Sequence, residues 1–433
     1  MTGRAWTILP LAVAAVSGMA PCAALSSEPS AQVPLAAASA EMPALSGIGQ
    51  YVVGTAFEEL DVDHRKIGLR FWFPARPEDG AIPQQYHHRR AIPGAQALDL
   101  SETGIAVAPA KALPGRTFPL IVISHGYGGW AEHLSRLGET MASRGYVVVS
   151  IDHRDQPFND MASFATSFAG VLVNRSRDQQ ATLRTILAGS LRHADIARQV
   201  DRDAIGLLGF SMGGYGALVT AGVPLDRSAP AYRLLPADVV ARLPQPDPML
   251  SGQIRAVVAL APWGAQPDAK VWRDVDLAGL RTPLMLIDGD RDDVVDFEKG
   301  VKRLFTATKA TDRYLLTYRE AAHNIAGNPM TLPAGADFSA IEFFSDPVWR
   351  KERIEAINAH FVSAFFDLHL KNDEAKKRYL DVPVPVAADG RWPSSFGQQW
   401  GGTVAGDDQP DYWRGFQRRW ARGLEMHHLA AGK

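Results

Sequence analysis

Gly209-Phe210-Ser211-Met212-Gly213-Gly214 follows the apolar run Ala204-Ile205-Gly206-Leu207-Leu208 and precedes Tyr215-Gly216-Ala217-Leu218-Val219-Thr220-Ala221. The first flank reads as a short buried strand and the second as a small-residue helix. A serine between them, with glycine two residues to either side, marks a very tight strand-to-helix turn. The chemistry accounts for the glycines. A serine hydroxyl is a weak nucleophile and must stand clear of the sheet beside a base. A turn that sharp holds the serine in a strained backbone conformation, so nearby residues must lack bulk. The bland reading of the same stretch is a glycine-rich turn that only packs or holds a phosphate.

Working outward, buried strands alternate with helices. Phe118–Ser124 reads as a strand ending in His125-Gly126-Tyr127-Gly128-Gly129, followed by a helix over 130–144 and a strand over 146–152. Strands are also expected over 254–260, 283–287 and 314–318, with helices over 175–197, 297–308 and 347–370. Residues 50–57 and 66–74 read as two antiparallel strands, 75–117 as a long surface connection rich in Pro, Gly and Ala, and 153–174 as loop or insertion. Residues 223–251 contain six prolines, exceed an ordinary connection, and read as a cap or lid insertion. Such alternation implies an α/β fold, with a mostly parallel central sheet and helices on both faces.

Length and composition bound the function. The 433 residues accommodate one large domain with insertions. Lys and Arg number 45 against 47 Asp and Glu, and the resulting net charge of −2 argues against a nucleic-acid partner or a polybasic membrane patch. The single cysteine, Cys22, excludes an intrachain disulfide framework. Arg4 and the short apolar run Trp6–Met19 read as a secretory signal ending near Ala24, with 25–47 as a disordered linker. That predicts a secreted or periplasmic protein with no membrane span in the mature chain. The organisation expected is thus a signal over 1–24, a linker over 25–47, a catalytic domain over 48–371 and a C-terminal extension over 372–433.

A serine nucleophile needs a base, and the base needs an orienting carboxylate. Ile287-Asp288-Gly289-Asp290-Arg291-Asp292-Asp293 offers the acid just past a strand, with Asp292 in a G-x-x-D position and Asp290 as the alternative. His323 follows the strand 314–318 and lies 31 residues after Asp292 (323 − 292). Other histidines after Asp292 fall in the expected C-terminal helix or the tail. Two backbone N–H groups must meet the developing oxyanion. Met212 supplies one, and Tyr127 the other, with Gly126 as the alternative to Tyr127. No cofactor or metal is expected. The glycine-rich segment lacks the G-K-[ST] of a phosphate loop, and no G-x-G-x-x-G follows the first strand. An EF-hand loop from Asp288 would need Gly and Glu where the chain has Asp293 and Lys299.

Taken together, the H-G-Y-G-G loop, the G-F-S-M-G-G turn, the G-D-R-D turn and the A-A-H segment resemble the α/β-hydrolase superfamily over roughly residues 47–371. Phe71-Trp72-Phe73-Pro74-Ala75 resembles a strand of dienelactone-hydrolase-like and platelet-activating-factor-acetylhydrolase-like proteins. Two departures stand out: true dienelactone hydrolases use cysteine where this chain has Ser211, and the acetylhydrolases place their acid where it has Ala261. The acid at Asp292, the Tyr127 loop, Met212 and Ala261-Pro262-Trp263 are similar to cutinase-like polyesterases and bacterial lipases. The resemblance implies a serine esterase, acting on a small-molecule or lipid ester, with Trp263 lining the acyl site. An amidase or peptidase on the same residues is the second enzyme reading, and a silent binding module the third.

Overall fold

A computed structural model describes residues 42–90, 97–393 and 409–433. The expected signal, Cys22 and most of the expected linker lie outside the described residues. Among the described residues no helix is long and apolar enough to cross a membrane.

The core is a sheet of ten strands. They are β1 (Val53–Val62), β2 (Arg65–Arg90), β3 (Leu98–Ala112), β4 (Phe118–Ser124), β5 (Val147–Asp152), β6 (Val200–Phe210), β7 (Ile254–Leu260), β8 (Leu284–Gly289), β9 (Arg313–Tyr318) and β10 (Leu424–Leu429). Their order is β1-β3-β2-β5-β4-β6-β7-β8-β9-β10. Strands β5, β4, β6, β7, β8 and β9 run parallel; at one end β2 pairs antiparallel with β5, β3 and β1, with β1 meeting β3 in parallel, and at the other end β10 joins β9 antiparallel. Every residue of β4, β8 and β9 is buried, as expected for strands covered on both faces. Two helix pairs pack near the sheet's centre: Ser135–Ser143 with Lys351–Lys371, and Met161–Leu187 with Met212–Thr220. Gly206 in β6 leaves room for Phe366 and Leu370 of the long C-terminal helix; a Cβ there would lie 2.7 Å from the Phe366 ring.

The chain leaves β4 toward β5 on one side, yet β6 lies on β4's other side. The strand order therefore reverses at β4, and a crevice opens at the carboxyl ends of β4 and β6, where open α/β sheets bind their ligands.

Four stretches differ from expectation. Residues 75–117 are not a surface connection: β2 continues to Arg90 and pairs with β3 as an antiparallel ribbon. Its prolines misled the reading, because Pro77 and Pro83 sit at register shifts, where a strand tolerates a missing N–H. Residues 161–174 are helical. Asp160 caps that helix by accepting from Ser163 N at 2.7 Å, a D-x-x-S box rather than the usual S-x-x-E. Residues 223–251 form short helical turns and bury Leu225, Tyr232, Val239, Leu243 and Leu250. They are tied to the helix Met161–Leu187 by Arg177 to Arg242 O and Gln180 to Gln245 O, and none of them lines the cavity at Ser211. Finally, the tail is not separate from the sheet: Leu424–Leu429 alternates buried and more exposed residues and closes the edge of β9.

Candidate functional site

Ser211 sits at the apex of the turn after β6 with φ 52° and ψ −114°, a conformation L-residues avoid. The glycines explain how it is reached. A Cβ on Gly209 would collide with the Gly213 carbonyl, and one on Gly213 would lie 2.6 Å from the Ser124 carbonyl carbon. The turn is tied to the next strand by Ser211 N donating to Leu260 O at 2.8 Å. Ser211 is 7% exposed, so its hydroxyl meets the crevice and little else.

His323 Nε2 lies 3.1 Å from Ser211 Oγ, and His323 Nδ1 lies 2.6 Å from Asp292 Oδ2. The other Asp292 oxygen accepts Val294 N at 2.8 Å and Val295 N at 3.0 Å, which fixes the carboxylate plane. Burial pushes the Asp292 carboxyl up, but its hydrogen bond to His323 and that residue's charge outweigh this and hold it below the ordinary range. Asp288, behind it, is fully buried and pushed well above that range, first by burial and then by the Asp292 charge. Its Oδ1 accepts Gly289 N at 2.8 Å, and the carboxylate beside His323 Nδ1 is that of Asp292. Asp290, the alternative acid, accepts Glu320 N at 2.6 Å instead. Asp293 lies exposed on the cavity rim.

The His323 loop is braced from below. Asp346 accepts Ala322 N at 2.8 Å, and the buried Lys351 ammonium donates to Asn324 O at 3.0 Å and to Ala326 O. Burial brings the Lys351 amine down to about 8.

Met212 opens the helix after the elbow, so its N–H is one of the donors a helix start leaves unpaired. Tyr127 follows β4 and lines the same cavity as Ser211, and among the described residues its N–H has no acceptor. The cavity is about 720 Å³. Beside Ser211 and His323 its walls are largely apolar: Phe210, Val294, Phe338, Ile341 and Phe343. The helix Phe338–Phe344 thus forms one wall, with Phe338 at 74% exposure, whereas Phe344 at 3% packs inward against Trp130.

Trp263 is not among the residues lining this cavity. Its indole packs edge-on against Phe168 at 5.3 Å and Tyr215 at 5.8 Å, and its backbone N–H donates to Ser211 O at 3.2 Å. The side chain expected at the acyl site instead buttresses the elbow. Sequence reasoning also missed a buried relay under the Tyr127 loop. Ser124 Oγ lies 2.8 Å from His153 Nε2, and His153 Nδ1 lies 2.8 Å from Asp178 Oδ2. The three are 1%, 2% and 0% exposed, so no substrate reaches them. Among the described residues no group of His, Cys, Asp and Glu could hold a metal ion.

Residues 103–230 match a family model described as PETase: PET hydrolase-like. A cutinase of Thermobifida alba is 25% identical over 211 residues, covering 48% of this chain and 54% of the relative. A bis(hydroxyethyl) terephthalate hydrolase of Streptomyces coelicolor is 24% identical over 241 residues, covering 55% and 60%. A platelet-activating factor acetylhydrolase of Canis lupus familiaris is 25% identical over 277 residues, covering 50% and 61%. The chain thus spans little more than half the length of these relatives. With the sheet order and crevice above, the fold is that of the α/β-hydrolases.

Proposed function

We propose that this protein is a serine hydrolase that cleaves carboxylic esters through an acyl-enzyme. The observation that carries the reading is the continuous relay from Ser211 Oγ through His323 to Asp292, with links of 3.1 and 2.6 Å, opening into an apolar cavity. Ser211 Oγ attacks the ester carbonyl while His323 Nε2 takes its proton. Asp292 holds the Nδ1–H tautomer and stabilises the imidazolium. The carbonyl oxygen gathers negative charge between the N–H groups of Met212 and Tyr127. Collapse expels the alcohol, which takes the proton from His323. Water then enters by the same base and releases the acid.

The names of the relatives favour esters over amides: a cutinase, a terephthalate ester hydrolase and an acetylhydrolase. The cavity's size and phenylalanine walls suit an ester with one compact apolar or aromatic arm. The signal read at residues 1–24 supports a place outside the cytoplasm, which fractionation of expressing cells tests directly.

The test is labelling with a fluorophosphonate probe, together with turnover of p-nitrophenyl acetate by Ser211→Ala. We expect label on Ser211 and a loss of several orders of magnitude in kcat. Near wild-type turnover in Ser211→Ala would refute the reading, and an unlabelled wild type would favour a silent binding module.

A further inference from the structure

Behind the loop His125-Gly126-Tyr127-Gly128 lies an ion pair almost sealed from water. Arg175 Nη2 is 2.7 Å from Asp155 Oδ2, with side-chain exposures of 1% and 6%. Burying such a pair rarely adds stability, since apolar residues of the same volume usually serve as well. What distinguishes this pair is where its remaining bonds go. Asp155 Oδ2 accepts Gly128 N at 2.9 Å, and Arg175 Nη2 donates to Gly126 O at 3.3 Å. Those two groups belong to the two peptide planes on either side of the Tyr127 Cα.

A trans peptide is planar, with its C=O and N–H pointing in opposite directions. The carbonyl of the Gly126–Tyr127 peptide is Gly126 O, and its N–H is that of Tyr127. Three donors converge on Gly126 O: Gly129 N at 3.1 Å, His125 Nδ1 at 2.6 Å and Arg175 Nη2. The direction of the His125 bond is settled by its other nitrogen. His125 Nε2 accepts His153 N at 3.3 Å, and burial keeps the ring neutral, so the proton sits on Nδ1. With the carbonyl anchored inward, the Tyr127 N–H must face the cavity. A cation beside the carbonyl oxygen also draws electrons through the amide and strengthens the N–H as a donor.

We infer that Arg175 and Asp155 are positioning residues that aim and polarise the Tyr127 N–H toward the carbonyl oxygen of a bound ester. The inference rests on the proposed roles of Ser211 and Tyr127. Arg175 also passes over the elbow helix at Gly216, where a Cβ would lie 2.9 Å from its Cγ, and Gln179 on the same helix donates to Gly213 O at 3.2 Å. One helix, Met161–Leu187, therefore supports both the loop and the elbow.

The experiment compares wild type, Arg175→Lys, Asp155→Asn and the pair replacement Arg175→Met with Asp155→Leu. The pair replacement leaves no lone buried charge, so it guards against a variant that merely fails to fold. Each protein is titrated to completion with a fluorophosphonate, and p-nitrophenyl acetate turnover is expressed per labelled Ser211. Phenylboronic acid, which forms a tetrahedral Ser211 adduct, reports on the oxyanion site. We expect kcat per labelled site to fall about 100-fold in the pair replacement. KM should stay within about three-fold, and the boronate inhibition constant should rise in step. Arg175→Lys should fall between the two, since it keeps the charge but not the fork. Arg184→Gln, on the same helix in an exposed pair with Asp247, should match wild type. Labelled pair-replacement enzyme with kcat and boronate affinity within about three-fold of wild type would overturn the inference and leave the esterase reading standing. A wild type that takes no label at Ser211 would overturn both.

Discussion

Asp292→Asn separates folding from chemistry at this site. Oδ1 of Asp292 accepts both backbone bonds, Val294 N at 2.8 Å and Val295 N at 3.0 Å, while Oδ2 alone faces His323 at 2.6 Å. An asparagine keeps the first oxygen, so the turn should survive with a stability loss of about 1 kcal/mol. Its NH2 then meets the Nδ1–H of His323, donor against donor. The conflict is relieved if His323 moves its proton to Nε2, and that tautomer cannot accept the Ser211 proton. The equivalent change in the serine-protease triad costs about 10⁴ in kcat, or about 5 kcal/mol of activation energy. The assay is p-nitrophenyl acetate turnover alongside urea unfolding of the same preparations. Asp290→Asn serves as the control, because Asp290 is engaged with Glu320 N. A drop of less than ten-fold in Asp292→Asn, or an equal drop in Asp290→Asn, would refute the assignment of the acid.

Other outcomes follow from the same geometry. Gly213→Ala forces a methyl onto the Ser124 carbonyl, which is backbone and cannot step aside, so soluble yield or activity should be lost; Gly47→Ala, with nothing within 4 Å, should behave as wild type. Phe344→Ala should lower unfolding free energy by about 3–5 kcal/mol because the ring is 3% exposed. Phe338→Ala, at 74% exposure, should change stability by less than about 0.5 kcal/mol and act instead on KM for bulky esters. Burial pushes the Asp155 carboxyl up, but Arg175 and its neighbours outweigh that and hold it at about 2 against an ordinary 3.8. A depressed carboxyl stabilises the fold above its unfolded value and loses that contribution as pH falls toward its folded one. Wild type should therefore lose about 2 kcal/mol more than Asp155→Asn between roughly pH 5 and pH 2, and parallel urea-unfolding curves would contradict this.

The residues that meet in the crevice were legible because each carries a local backbone requirement. Ser211 needs glycines at 209 and 213, Asp292 follows a glycine that ends a strand, and His323 follows the last parallel strand. Such requirements leave marks a few residues long. What escaped the reading depends on longer range. Pro77 and Pro83 look like loop residues until a partner strand supplies register shifts that accommodate them. The 223–251 stretch has the length of a lid, but Leu225, Tyr232, Val239, Leu243 and Leu250 are buried against the body of the protein. The contacts among Ser124, His153 and Asp178 exist only because β4 and β5 pair and the helix Met161–Leu187 crosses behind them. No spacing in the chain announces that meeting.

The crevice is assembled from two separately built blocks. The helix Met161–Leu187 carries the Tyr127 loop and the elbow as a unit, through Arg175 and Gln179. The loop bearing His323 rests on other foundations, Asp346 and Lys351, and the Asp292 turn is joined to it by Arg291 N donating to Ala321 O at 2.9 Å. The seam between the blocks is crossed by the 3.1 Å contact from Ser211 Oγ to His323 Nε2. In the proposed mechanism, charge stabilisation and proton transfer would therefore drift independently under mutation. Substitutions near residues 338–351 would retune the base while leaving the oxyanion pocket intact, and a lineage or an engineer could reshape one wall for a new ester without rebuilding the other.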